Sequence, residues 1–399
     1  MLPIADRFEE TYAGCEVVYG RGRTDELGAY LADRGMKRAL VVCGSNVGAN
    51  DDLMNLIRDG LGERHAGTFD ETTPQKRVET AFGVLEAVAE TGADALVAVG
   101  GGSSLDIARQ AAAVDADGRS LDDLKAAAGD GSVAPLRGEP TLPVVVVPTT
   151  FAGADISAGG SLSVLSAAAS PTGQPVTVSG SAMPLAAFVD PGAFETTPRR
   201  VLAGSAMNGF DKGIETVYAR DASPVSDAAA IHGLRLLSEG LPVAAGDRGG
   251  DETAAMDRAT VGAVLVQMDR KVSVIHAVGH GFARRYDVQQ GAVHAVVAPH
   301  VLAFLFDQVD ASRRALAAGL GVDTTGRDDD AVAEAVVDAV ASVRDALGVP
   351  DRLRELGPTR ESDLAAIAEF VAEDPPMERA PAGIDASPER IEGMLREAW

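Results

Sequence analysis

Cysteine is nearly absent from this 399-residue chain: Cys15 and Cys43 are the only two. Two isolated cysteines make no disulfide framework and carry no metal-ligand spacing, so a reducing cytoplasmic setting is expected. No apolar run approaches the roughly 20 residues that span a bilayer. Met1 to Ala13 mixes apolar and charged residues without a signal-peptide pattern. Lysine is scarce, supplying five of 35 basic residues against 59 acidic ones, for a net charge of −24. That balance excludes the basic footprint of a nucleic-acid binder. An acidic, lysine-poor surface suits a salt-rich cytoplasm, where counterions screen self-repulsion, so a halophilic source is expected. No internal repeat is present. The 46% hydrophobic content at this length is enough for two domains with a large core.

The chain has two textures. Up to about Pro191, short apolar runs alternate with helical stretches. Val17 to Tyr19, Ala39 to Val42, Ala95 to Val99, Val144 to Val147 and Ala187 to Val189 read as strands. Thr24–Arg34, Asp51–Gly62, Lys76–Thr91 and Ser104–Val114 carry helical periodicity. Alternation of this kind predicts a mostly parallel, doubly wound sheet, with ligands beyond the carboxyl ends of its strands. From Thr197 onward the pattern is helical. Helices are expected over Arg199–Arg220, Pro224–Ser238, Glu252–Met268, Val272–Arg284, Gly291–Asp307, Ala331–Leu347, Glu361–Ala372 and Pro388–Ala398. The boundary falls at Asp190-Pro191-Gly192, giving an α/β domain over 1–192 and an all-α domain over 193–399. Ser166 to Ser181, rich in Ala, Ser, Gly and Pro, reads as an excursion or hairpin.

Two motifs carry chemistry. The run Gly100-Gly101-Gly102-Ser103-Ser104-Leu105-Asp106 links an apolar strand to a helix. Glycine there brings bare backbone N–H groups to a helix N-terminus, a seat for phosphate or pyrophosphate. Pro148-Thr149-Thr150-Phe151-Ala152-Gly153 follows the next strand and offers hydroxyls to a diphosphate, a ribose or an amide. Each motif alone is also compatible with an ordinary tight turn.

The order of Gly100-Gly101-Gly102-Ser103-x-x-Asp106, Pro148-Thr149-Thr150, Asp190-Pro191 and a His-containing helical half resembles the iron-containing (group III) alcohol dehydrogenase family. The resemblance runs to the closing Met394–Trp399. It implies a dehydroquinate synthase-like fold and a nicotinamide dinucleotide between the α/β and helical domains. It also implies hydride transfer between that cofactor and an alcohol or carbonyl. Gly100, Gly101, Gly102, Ser103, Ser104, Asp106, Thr149, Thr150 and Phe151 are the implied cofactor residues. Ala206–Gly209, Tyr218–Pro224, Thr149–Gly153 and His294–His300 look like the maleylacetate reductase branch, which reduces an oxo-dicarboxylate. The chain lacks that branch's His at position 212. A small-molecule alcohol, aldehyde or oxo acid is the implied partner, and a homodimer the expected assembly.

The family's metal ligands are where this sequence departs. The matching positions are Asn208, Lys212, His276 and Gln290, so only His276 retains a ligand type. Amides are poor ligands for a divalent transition metal, and an ammonium is none. Read without the family, Asn208/Lys212, His276/His280 and Gln290/His294 are each four apart and share a helix face, with Glu215 nearby. Together they predict one polar-lined cavity. Lys212 then supplies the positive charge that a developing alkoxide needs, with His280 as proton donor and Asn208 as companion. The competing reading places a metal on His276 and His280, completed by Asp211 or His294.

For the cofactor, Cys43-Gly44-Ser45-Asn46 follows the Ala39–Val42 strand. An acid there holds the ribose 2′-OH and repels a 2′-phosphate. With Gly44 in its place, and Ser45 and Asn46 as donors, the reading leans to NADP over NAD. Arg284 and Arg285 are candidates for a substrate carboxylate, or solvated charges. Three function classes stand open: an NAD(P)-dependent dehydrogenase or carbonyl reductase, which is favoured; a lyase or synthase of the dehydroquinate synthase kind; and a non-catalytic nucleotide-binding protein.

Overall fold

Ala95–Gly100 lies at the heart of a six-stranded parallel sheet in the computed structural model, which describes residues 14–171 and 173–399. The Met1–Ala13 segment lies outside the described residues. The strands are β1 (Glu16–Tyr19), β2 (Ala39–Val42), β3 (His65–Phe69), β4 (Ala95–Gly100), β5 (Val144–Pro148) and, after a separate hairpin of β6 (Gly159–Leu165) and β7 (Val176–Ser181), β8 (Ala186–Val189). Their order is β1-β8-β5-β4-β2-β3. The helices among them are α1 (Leu27–Asp33), α2 (Ser45–Gly48), α3 (Asp51–Leu61), α4 (Val78–Thr91), α5 (Gly102–Asp117), α6 (Leu121–Gly129) and α7 (Pro191–Glu195).

The central strands β2, β4, β5 and β8 are buried at every residue. A parallel sheet covered on both faces calls for such continuous apolar runs, and Val-rich, β-branched sequence supplies them. Leu27, Leu31, Leu53, Met54 and Ile57 pack on one face with Val41, Val97 and Val145. The β4–β5 register sets Gly100 opposite Pro148. Both sequence motifs therefore leave the sheet side by side at its carboxyl edge.

Helices fill the remainder: α8 (Arg199–Tyr218), α9 (Pro224–Ala244), α10 (Glu252–Leu265), α11 (Val274–Arg285), α12 (Gln290–Phe306), α13 (Arg313–Leu320), α14 (Asp329–Ala346), α15 (Leu364–Glu373) and α16 (Pro388–Glu397). The chain divides into two compact units. One holds the described residues as far as Thr150 together with Ala154–Thr197, and the other holds Phe151–Gly153 and Pro198–Trp399. In the helical unit α8 packs on α9 and α12, and α11 on α12 and α15. None of the described helices is long and apolar enough to cross a membrane.

Several elements differ from the sequence reading. Strand β3 was not expected; His-Ala-Gly-Thr-Phe has no continuous apolar run because it is a half-buried edge strand. Helices α6 and α13 were also missed. The Thr24–Arg34 helix begins as a 3-10 turn over Arg23–Glu26. Lys76 lies outside its helix, with φ 45°. The Ser166–Ser181 segment contributes β7 of the antiparallel hairpin.

Asp227, in the first turn of α9, is buried, and its Oδ1 has no partner. Burial pushes its carboxyl up to about 6, against roughly 4 in an unfolded chain. The folded state therefore holds this proton after the unfolded state has released it. Stability is lost as pH rises from about 4 to 6, and the deficit persists above that. Asp227→Asn is expected to raise the melting temperature by a few degrees at pH 8 and to leave it nearly unchanged at pH 4. Thermal unfolding at the two pH values checks this.

Candidate active site

In the α/β unit, the glycine run turns from β4 into α5. Gly100 has φ 130°, a conformation open to glycine alone among the residues available there. A Cβ on Gly101 would meet Thr150 at 3.3 Å. Helix α5 starts at Gly102 without a side-chain cap, leaving its first turn to be satisfied from outside. Gly102 and Ser103 are partly exposed, whereas Ser104 is buried and its hydroxyl bonds Thr72 Oγ1 at 2.7 Å. Thr149 donates its N–H to Gly100 O at 3.0 Å, and both Thr149 and Thr150 are buried. Asp106 pairs with Lys76 Nζ at 3.0 Å and with the buried Arg109. Its carboxylate is thus engaged by two cations, and Lys76 is a partner that sequence spacing did not suggest. Gly44 caps α2 with extended backbone, while Ser45 and Asn46 lie exposed in that helix's first turn.

In the helical unit, α8 carries Asn208, Asp211, Lys212 and Glu215. Lys212 is buried, yet its ammonium is well solvated by protein oxygen. It donates to Ala152 O at 2.8 Å, Asn208 O at 3.0 Å and Asn208 Oδ1 at 2.9 Å. All three acceptors are neutral, so they stabilise the charge without cancelling it. Phe151, expected among the cofactor residues, is fully buried and anchors this turn instead, its N–H donating to Ser205 Oγ at 3.1 Å.

One turn further on, Glu215 reaches the start of α11. It accepts the backbone N–H of His276 at 3.0 Å and bonds His276 Nδ1. A carboxylate at an uncapped helix N-terminus is favoured by the helix dipole. Burial opposes it and pushes the Glu215 carboxyl up to about 7. Burial, with the Glu215 charge, also raises Asp211 well above the usual carboxylate range. It lowers His276 and His294 well below the usual imidazole range, with Lys212 adding to the effect on both. His276 and His294 stand edge to face with ring centroids 4.5 Å apart. Asp211 Oδ2 lies 3.4 Å from His294 Nδ1. Both Asp211 oxygens, both His294 nitrogens and His276 Nε2 are buried without a hydrogen-bond partner. Burial thus favours the neutral forms of Asp211, His276 and His294, and the charges of Lys212 and Glu215 act on one another.

The two histidines of α11 bond different carboxylates. His276 turns to Glu215, while His280 is half-exposed and bonds Asp374 Oδ2 through Nδ1 at 2.7 Å. Each ring is thus oriented through Nδ1 by its own buried carboxylate. Among the described residues, no three His, Cys, Asp or Glu side chains form a metal-holding group. Gln290 lies against Gly279, where its Cγ is 3.0 Å from the position of a Cβ. Arg285 is held by Asp363 at 2.9 Å, and Arg284 stacks over Phe370. Their reading as a carboxylate clamp gives way to these intramolecular roles.

Residues 15–191 match the family described as iron-containing alcohol dehydrogenase, and residues 202–399 match the C-terminal domain of the same family. The chain belongs to the iron-containing alcohol dehydrogenase family. These are oxidoreductases. The NAD-dependent methanol dehydrogenase of Bacillus methanolicus is 30% identical over 363 residues, covering 90% of this chain and 91% of the relative. Maleylacetate reductase 2 of Cupriavidus pinatubonensis is 28% identical over 313 residues, covering 78% and 77%. A crystal structure of 1,3-propanediol oxidoreductase shares the fold at a TM-score of 0.85 and 22% identity, covering 98% of this chain and 99% of that one.

The iron that the family's name implies does not fit here. Of the four positions that the resemblance assigns to it, two are occupied by Asn208 and the Lys212 ammonium bonded to it. The ammonium already supplies a cation at that place, and a divalent ion beside it would be repelled at close range. Ligand loss at Asn208, Lys212 and Gln290 is thus accompanied by a hydrogen-bonded replacement.

Proposed function

We propose that this chain is an NAD(P)-dependent carbonyl reductase, working equally as an alcohol dehydrogenase in reverse, that uses the Lys212 ammonium in place of a metal. The observation that carries the reading is the buried ammonium bonded to Ala152 O, Asn208 O and Asn208 Oδ1. A bound reduced nicotinamide would supply the hydride that adds to the carbonyl carbon. The C=O π pair moves to oxygen. An oxyanion that accepts a hydrogen bond from one Lys212 N–H replaces a neutral acceptor with a charged one, so the interaction strengthens as the charge develops. His280 delivers the proton that yields the alcohol. Asn208 holds the ammonium in place.

The backbone of Gly100–Gly102, with Ser103, seats the diphosphate at the start of α5. Thr149 and Thr150 flank that seat. Among the substrates that its relatives' names offer, an oxo acid such as maleylacetate fits an ammonium-bearing site better than a neutral alcohol does. The acidic surface supports work in a salt-rich cytoplasm. The test is NADPH and NADH oxidation in high KCl over aldehydes and oxo acids including maleylacetate, with metal content measured on the same sample. Turnover without stoichiometric metal is expected. Activity lost to a chelator and restored by iron, zinc or manganese overturns the ammonium mechanism, and cofactor binding without turnover overturns the reductase reading.

Gly44 supports NADP as the preferred cofactor, since position 44 itself carries no carboxylate to repel a 2′-phosphate; Asp70 lies against Gly48, one turn further on. Gly44→Asp is expected to lower kcat/KM for NADPH by roughly 10- to 100-fold through charge repulsion while sparing NADH. Because a Cβ here meets Thr72 O at 3.1 Å, Gly44→Ala serves as the steric control. Initial rates with both cofactors check it.

A further inference from the structure

Two histidines one turn apart on α11 meet opposite fates. His276 is closed off, whereas the His280 side chain is 43% exposed and is held from one side by Asp374. The two partners are 94 residues apart in sequence. Asp374 joins α15 to the short 3-10 turn Pro375–Arg379. Its backbone is fixed at both ends: its N–H donates to Val371 O at 3.1 Å, and its carbonyl accepts from Met377 N at 2.9 Å. Pro375 and Pro376 follow it and restrict it to extended backbone, here φ −70° and ψ 135°. The side chain is 9% exposed. Little conformational freedom therefore remains for this carboxylate to lose, and its position is set before any ligand arrives.

An ionised carboxylate only accepts. At 2.7 Å from Asp374 Oδ2, His280 Nδ1 must carry the proton of the bond. That fixes the tautomer and leaves Nε2 as the nitrogen that exchanges protons with anything outside the protein. A neutral imidazole free of such a partner distributes its proton between both nitrogens, and a ring without a tether rotates. Either change would misdirect the proton.

We propose that Asp374 is a positioning residue for proton delivery: it locks His280 as the Nδ1–H tautomer and aims Nε2 at the substrate oxygen. This rests on the proton-donor reading of His280 given above. The step balances from the doubly protonated ring: the Nε2 proton of the imidazolium bonds to the alkoxide formed by hydride addition, the ring is left as the neutral Nδ1–H tautomer that Asp374 holds, and solvent returns a proton to Nε2.

The competing role for Asp374 is structural, tying α11 to the end of α15. Four variants, read by NMR, by kinetics with cofactor binding and by thermal unfolding, separate the two. Nitrogen-15 NMR of histidine-labelled protein, with His280→Gln for assignment, is expected to show a protonated Nδ1 in the parent at alkaline pH. That signature is expected to be lost in Asp374→Ala. In Asp374→Asn, kcat for carbonyl reduction is expected to fall by roughly 100-fold or more, as when a histidine is forced into the wrong tautomer. Cofactor Kd and substrate KM stay within about threefold, and Asp374→Glu recovers part of kcat. Loss of the signature with an unchanged kcat overturns the proposal. So does an unchanged signature in Asp374→Ala, or a loss of kcat that merely follows a fall in melting temperature. If His280→Gln turns over like the parent, the proton-donor reading itself fails, while the tautomer measurement still shows whether Asp374 holds the ring.

Discussion

Lys212→Ala is expected to lower kcat/KM for carbonyl reduction by roughly 10²- to 10³-fold, the range seen when a single preorganised oxyanion donor is removed. The loss should fall mainly on kcat, because the ammonium gains most from the charge that develops during reaction. Binding of the cofactor should change little, since the glycine run belongs to the α/β unit and Lys212 to the helical one. The substitution also strips the counter-charge from Glu215, whose carboxyl burial already raises to about 7. Without Lys212, Glu215 is expected to stay protonated to higher pH and to bond the start of α11 less strongly. Lys212→Met, similar in length and uncharged, isolates the charge from the packing. Initial rates, cofactor titration and thermal unfolding on the three proteins check the prediction. Retention of more than about a tenth of the parent kcat/KM in both variants would exclude an oxyanion role of the expected size. Added iron or zinc should restore neither variant, because Asn208 and Gln290 remain poor ligands.

The α/β layer was legible because its central strands are buried on both sides. Val144–Val147 and Ala95–Val99 had no other reading, and the glycines after Val99 marked the turn. Strand β3 was illegible because an edge strand faces partial solvent and needs no apolar run. Lys212 was visible as an anomaly at a position where a ligand was expected. Its acceptors were not visible: Ala152 O is a backbone atom 60 residues away, and carbonyl groups leave no mark in a sequence. Helical spacing placed His276 and His280 on one face, but spacing is blind to the partner across the packing. Glu215 claims the first ring and Asp374 the second, and neither pairing follows from periodicity. The i,i+4 rule identified the polar faces, and it carries no information on which carboxylate orients each ring.

Gly209→Ala is expected to damage the helical unit far more than the addition of one methyl group suggests. Glycine inside a helix costs roughly 1 kcal/mol relative to alanine, so its presence in α8 calls for a reason. A Cβ on Gly209 would stand 2.2 Å from Phe151 O, and one on Gly213 would stand 2.7 Å from Leu234. The Phe151 contact is with backbone and cannot be relieved by a rotamer change. Either α8 or the Phe151–Gly153 turn must move. Gly153, at φ 68° with Lys212 Cδ 3.2 Å from its Cβ position, leaves that turn little room. Displacing it withdraws Ala152 O from Lys212. Overpacking of this kind costs about 3 kcal/mol, which corresponds to a fall of roughly 6–12 °C in melting temperature. Activity should drop at least tenfold even below the transition, because the ammonium loses an acceptor that fixes it. Gly204→Ala in the same helix is the control. Its Cβ would meet only the far end of the Gln289 side chain at 3.0 Å, so it should be neutral or slightly stabilising through helix propensity. Thermal unfolding and initial rates on the pair decide the matter. Equal behaviour of the two variants would mean that the close approach of the Phe151–Gly153 turn to α8 does not hold Lys212 in place.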